Sequence, residues 1–195
     1  MEITRCLARH RTGAVAAIMC VLGTTMFCRP SGSANAQTPD VFSQNKRLGR
    51  GVNVIGYDPL WQDRQKARFQ EKYFRLIQEA GFNHVRVNLH PFRDAKLGAD
   101  YKPSAAWFET LDWAVKHALA NRLMVILDFH EFQAMGDDPA GNKERFLAVW
   151  RQIAEHCKDA PDDVVFEILN EPNKKVTPER WNALLRDALG IIRQS

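Results

Sequence analysis

Four times along the chain, a short β-branched run is followed by a stretch with apolar residues at helical spacing. No other feature limits the fold as strongly, because strands alternating with helices in this way assemble as parallel β/α units. The runs are 51–56, 85–89, 123–129 and 164–169. The helix after the first run is expected to place Phe69, Tyr73, Leu76, Ile77 and Ala80 on one face and to stop at Gly81. The second starts from Ser104 as N-cap and buries Trp107, Leu111, Val115 and Ala118 or Leu119. The third uses Phe146, Val149, Trp150 and Ile153. The fourth opens on Thr177-Pro178, a cap followed by a proline in the first helical position, and carries Trp181, Leu184, Leu185, Ala188 and Ile191.

Strand starts at 51, 85, 123 and 164 suit a (β/α)8 TIM barrel, whose eight units total about 250 residues. Four units are its N-terminal half. An open four-stranded sheet leaves edges and apolar helix faces uncovered, so a truncated α/β barrel is the expectation. A complete doubly wound domain would mark its first turn with a glycine-rich phosphate loop, and GVNVIG at 51–56 has no such spacing.

The formal charge of +4 over 195 residues is concentrated at one end. Residues 1–36 hold Arg5, Arg9, Arg11 and Arg29 against Glu2 alone, which leaves about +1 for the rest and removes the footing for a nucleic-acid partner. The same stretch has basic residues, an apolar run near 13–27 and small residues ending in Ala34-Asn35-Ala36. That order is a secretory leader, expected to be cleaved before Gln37, and the apolar run is too short and mild for a membrane span. Secretion or a periplasmic location follows, with no membrane contact after cleavage. Cys6, Cys20 and Cys28 lie in the leader, so only Cys157 remains and no intrachain disulfide can form. Residues 37–48 read as a polar linker and 49–195 as the partial catalytic domain.

Active sites of parallel barrels lie at the C-terminal ends of the strands. Side chains alternate along a strand, so Arg86, Asn88 and His90 share one face, as do Ile126, Asp128 and His130, and as do Glu167, Leu169 and Glu171. Charges this dense must be paired when buried. Arg86 can offer a fork of donors to a carboxylate. Taken singly, Arg86 and Glu167 read as structural ion-pair members and His130 equally as a satisfied histidine. His84, at the start of its strand, has no assigned role.

The fourth run closes as FEILNEPN at 166–173. Phe-Glu-x-x-Asn-Glu-Pro at the end of a fourth strand resembles the acid/base signature of glycoside hydrolase family 5, the cellulase family. Arg86 in VRVNLH resembles that family's second-strand arginine, His130 in LDFHEF its third-strand histidine, and GVN at 51–53 its opening strand. The resemblance implies a retaining endo-β-glycanase with Glu171 as acid/base, assisted by Asn170, His130 and Arg86, and with Asn53, His90 and Trp61 binding substrate. It implies a polysaccharide partner of the β-1,4-glucan kind, no cofactor and no metal, and a monomer when complete. Retaining chemistry needs two carboxyl groups about 5 to 5.5 Å apart. In the family the nucleophile follows a seventh strand, so this chain alone is expected to be inactive, and Asp128 and Glu131 are not substitutes.

Loop aromatics Tyr57, Trp61, Phe92, Tyr101 and Phe132 are available as sugar platforms. Two rival functions stand beside this one. A metal-dependent barrel hydrolase would use His90, Asp128, His130 and Glu171 as ligands. A non-catalytic carbohydrate-binding remnant would keep the cleft without the chemistry.

Overall fold

The structure, a computed structural model, describes residues 40–195. The leader assigned to residues 1–36 lies outside the described residues. Helix α1, Val41–Leu48, occupies the segment expected to be a linker. Asp40 caps it, accepting the Ser43 backbone N–H at 3.1 Å, and Lys46 and Arg47 sit in the last turn where the helix dipole favours cations. Polar composition therefore marked an amphipathic helix, not a coil. It docks through Gln44 Nε2, which donates to Asp162 O at 3.3 Å, and through an Arg47–Asp163 ion pair.

Strands β1 (Gly51–Val54), β2 (His84–Leu89), β3 (Met124–Phe129) and β4 (Val164–Glu167) form one parallel sheet in sequence order. Between and after them run α2 (Lys72–Glu79), α3 (Pro91–Asp94), α4 (Ala105–Ala120), α5 (Phe132–Asp137), α6 (Pro139–His156) and α7 (Pro178–Ile192). These are four consecutive units of a (β/α)8 barrel. Among the described residues, no helix is long and apolar enough to cross a membrane.

Alternation along the strands sorts their residues cleanly. Val85, Val87, Leu89, Val125, Leu127 and Phe129 are fully buried against the helices, where they meet Phe74, Trp107, Leu111, Phe146, Trp150 and Ile153. The intervening residues Asn53, Arg86, Asn88, Asp128 and Glu167 are joined to one another by side-chain bonds across the opposite face. The expected caps form as well: Ser104 accepts from the Trp107 N–H and Thr177 from the Arg180 N–H. Trp107, Leu111 and Ala118 are buried as expected, whereas Val115 is only half-buried and Ala114 takes its place.

The expected face of α2 is only partly the observed one: Ile77 packs against the core as expected, but Ala80 is exposed. Phe74 is fully buried while Leu76 is 45% exposed. Phe69 precedes the helix, pinned by its N–H to Asp58 Oδ2 at 2.9 Å, so it does not set the helical phase. It packs edge-on against Phe74 instead.

Gly51 has a steric cause. A Cβ there would meet the His84 imidazole at 1.9 Å, and that ring is held by Leu48 O at 2.7 Å from its Nδ1. His84 thus fastens the end of α1 to the base of β1 and β2.

Candidate active site

The register sets Asn53 beside Arg86, and Asn88 beside Asp128 beside Glu167. Arg86 is the hub. Its Nε and Nη2 donate to Glu167 Oε2 and Oε1 at 2.6 Å each, Nη2 also reaches Asn170 Oδ1 at 3.0 Å and Asp128 Oδ2 at 3.1 Å, and Nη1 reaches Asn53 Oδ1 at 3.2 Å. The bond to Glu167 raises the guanidinium pKa further, against the opposing effect of burial. Arg86 is a fixed positive charge at any working pH.

Asp128 is fully buried, and that burial lifts its pKa above the usual carboxylate range despite bonds from His130 and Asn88. Asn88 Nδ2 donates to Asp128 Oδ2 at 2.8 Å, and His130 Nδ1 lies against the same oxygen. A carboxylate at Nδ1 assigns a proton to that nitrogen.

His90, at the end of β2, is 6% exposed with its ring 5.0 Å from that of His130 and 4.7 Å from that of Tyr57. Burial, followed by the positive Arg93 and by His130, lowers its pKa to about 4. It is a neutral imidazole whose Nε2 is buried without a partner among the described residues. No group of three or more histidine, cysteine or acidic side chains there is arranged to hold a metal ion.

Glu171 departs from the strand. The ladder ends at Glu167, Leu169 turns into the core at 4% exposure, and Asn170 rejoins the network through its N–H to Phe129 O at 3.0 Å. The expected common face of Glu167, Leu169 and Glu171 is therefore corrected, because strand alternation does not extend past the last ladder residue. Glu171 adopts φ +40°, a left-handed conformation uncommon for a residue with a side chain.

A lock holds it there. Asn173 Nδ2 donates to Glu171 O at 2.7 Å, Lys175 N donates to Gly136 O at 3.0 Å, and Lys174 Nζ pairs with Asp137 Oδ1 at 2.6 Å. The Asn173 amide crosses so near Gly136 that a Cβ there would lie 2.5 Å from Asn173 Oδ1. The exposed Glu171 carboxylate remains near enough to Arg86 to help raise its pKa.

A family model described as Cellulase (glycosyl hydrolase family 5) matches residues 45–195. The chain belongs to glycosyl hydrolase family 5. Among its relatives, Endoglucanase H of Acetivibrio thermocellus is 28% identical over 171 residues, 85% of this chain and 18% of that protein. Endoglucanase C of Acetivibrio thermocellus is 30% identical over 165 residues, 74% of this chain and 46% of that protein. The solved endoglucanase Cel5A of Thermotoga maritima matches with a TM-score of 0.72 and 40% identity, over 80% of this chain and 51% of that one. The same enzyme has been solved with cellobiose and with mannotriose. This chain spans about half of that structure and less than half of either curated relative.

Within this family 5 half-barrel, Arg86, Asn170, His130, His90 and Asn53 share one connected cluster, with Glu171 at its rim. Trp61 does not belong to it. Its ring is 5% exposed, stacks on Trp107 at 5.4 Å, and donates Nε1–H to Ile55 O at 2.6 Å, so it is a core residue and not a platform for substrate. Asn88 was visible on the strand face between Arg86 and His90, yet only the side-chain contacts reveal that it holds Asp128. Asn173 and Gly136 carried no recognisable signal, since their relation is a contact between two loops.

Proposed function

We propose that residues 45–195 carry the acid/base side of an endo-acting, retaining β-glycanase site for β-1,4-glucan or a related β-glycan. The observation that carries this is Glu171, exposed on a locked loop at the mouth of a network whose other inner carboxylates are already occupied. Glu171 protonates the leaving oxygen and then takes a proton from water. Asn170 Oδ1 accepts from Arg86, which leaves its Nδ2 to donate to a sugar hydroxyl; such a bond to the 2-hydroxyl strengthens as the oxocarbenium-like transition state forms. Arg86 and His130 orient the site and supply its field. The substrate assignment follows the relatives, which are named endoglucanases.

Glu167 is held in both oxygens by Arg86, and Asp128 is fully buried under Asn88 and His130. Neither is free to attack an anomeric carbon. The nucleophile therefore comes from outside these strands, and residues 37–195 alone release no reducing ends from soluble β-1,4-glucan. Joined to four further β/α units bearing a strand-end glutamate, they do so, and Glu171→Gln lowers that rate by at least about 100-fold. Retention is read by NMR of the newly released reducing end, which is β-configured before it mutarotates. Turnover by residues 37–195 alone, or an α-configured first product, refutes the proposal. We also propose export with cleavage before Gln37, which N-terminal sequencing of the secreted protein tests.

A further inference from the structure

We propose that Tyr57, held in place by Arg93 and His90, is an aromatic platform for a sugar ring of the bound glucan, at a subsite well removed from Glu171. The proposal rests on the β-glucan reading above. Of the loop aromatics on this face, Trp61 is buried and Phe92, Tyr101 and Phe132 are half-buried, whereas Tyr57 is 66% exposed.

Its exposure is not looseness. The Arg93 guanidinium lies 4.8 Å from the ring centroid, and Arg93 is itself held by both carboxylate oxygens of the buried Asp94 and by Gly56 O at 2.9 Å. The Tyr57 carbonyl accepts from Arg68 Nη2 at 2.8 Å. His90 lies against the ring at 4.7 Å, tilted by 42°. A ring covered on both faces could not remain two-thirds exposed, so one face is open, and it is ordered before any ligand arrives. Ordering in advance removes an entropic cost of binding.

An all-equatorial pyranose presents a face of axial C–H groups, the natural complement of such a ring. Tyr57 follows β1 and Glu171 follows β4, three interstrand steps apart, or roughly 14 Å at the usual strand spacing. That is further than one sugar ring spans, so the platform grips the chain away from the bond that Glu171 serves.

The test is an NMR titration of the full chain with cellotetraose, for wild type, Tyr57→Phe and Tyr57→Ala. Tyr57→Phe is expected to bind within about twofold of wild type and Tyr57→Ala about tenfold more weakly, the usual size of a lost aromatic contact. Nuclear Overhauser contacts from the wild-type Tyr57 ring protons to sugar C–H protons give a readout that does not depend on any variant folding. Cellotetraose binding with no such contacts, or with Tyr57→Ala unchanged, overturns the platform and leaves the β-glucan reading intact. Absence of binding by folded wild-type chain overturns the β-glucan reading and the platform together.

Discussion

Arg86 and Glu167 meet end to end, with two parallel N–H···O bonds of 2.6 Å across the inner face of the sheet. The pair neutralises one carboxylate and, through the same guanidinium, compensates the fully buried Asp128. Replacing Arg86 with methionine strands that buried acid. The expected cost is about 2 kcal/mol in urea denaturation, below that of a fully desolvated pair because Glu167 is a third exposed. Restoring wild-type stability with Arg86→Lys would contradict the bidentate account, since an ammonium cannot reproduce the fork.

His90 makes stability depend on pH. Its folded pKa of about 4 lies below the ordinary value of 6.5. Above pH 6.5 both states are neutral and the residue contributes nothing. As pH falls from 6.5 towards 4 the unfolded chain takes up a proton that the native chain refuses, so stability drops, by about 3 kcal/mol at the limit. The charged Arg93 and Asp94 and the titratable His130 are the groups that face it. His90→Gln should flatten the stability profile between pH 6.5 and 4.5 relative to wild type, measured by urea midpoints at each pH. Parallel profiles would show that His90 is not neutral in the fold.

The loop bearing Glu171 has a single tight clearance. Gly136→Ala drives a Cβ into Asn173 Oδ1, so the loop must yield or the helix must shift, at an expected cost of about 1–2 kcal/mol. Asn173→Ala instead removes the bond to Glu171 O and should weaken the left-handed turn with less overall destabilisation. The two are separated by thermal denaturation together with the backbone chemical shifts of Glu171, which should move in both variants. Unchanged Glu171 shifts in Asn173→Ala would remove the lock.

Trp61 is expected to behave as core. Trp61→Ala should lose about 3–5 kcal/mol of stability, and Trp61→Phe should leave cellotetraose affinity within about twofold of wild type. A large affinity loss in the folded phenylalanine variant would return Trp61 to the cleft.

How much was legible varied with the range of the interaction. Arg86, Asn88 and Asp128 could be placed on one face from strand alternation, and the contacts between them bear this out. Ser104 and Thr177 were recognisable as caps because a cap bonds within three residues. Phe74 was missed because the anchoring of Phe69 by Asp58, eleven residues earlier, resets the phase of α2. Helix α1 was missed because its few polar contacts, to Asp162 and Asp163, lie more than one hundred residues away.

By itself the sequence determined the parallel β/α order, the inner polar face, and the FEILNEPN run whose family resemblance singles out Glu171, since each depends on spacing along one segment. Only the tertiary structure decided that Glu167 belongs to Arg86, that Trp61 is buried while Tyr57 is not, and that Asn173 and Gly136 together shape the Glu171 turn. Those outcomes depend on which surfaces of distant segments come within a few ångströms, and the spacing within any one segment carries no record of that.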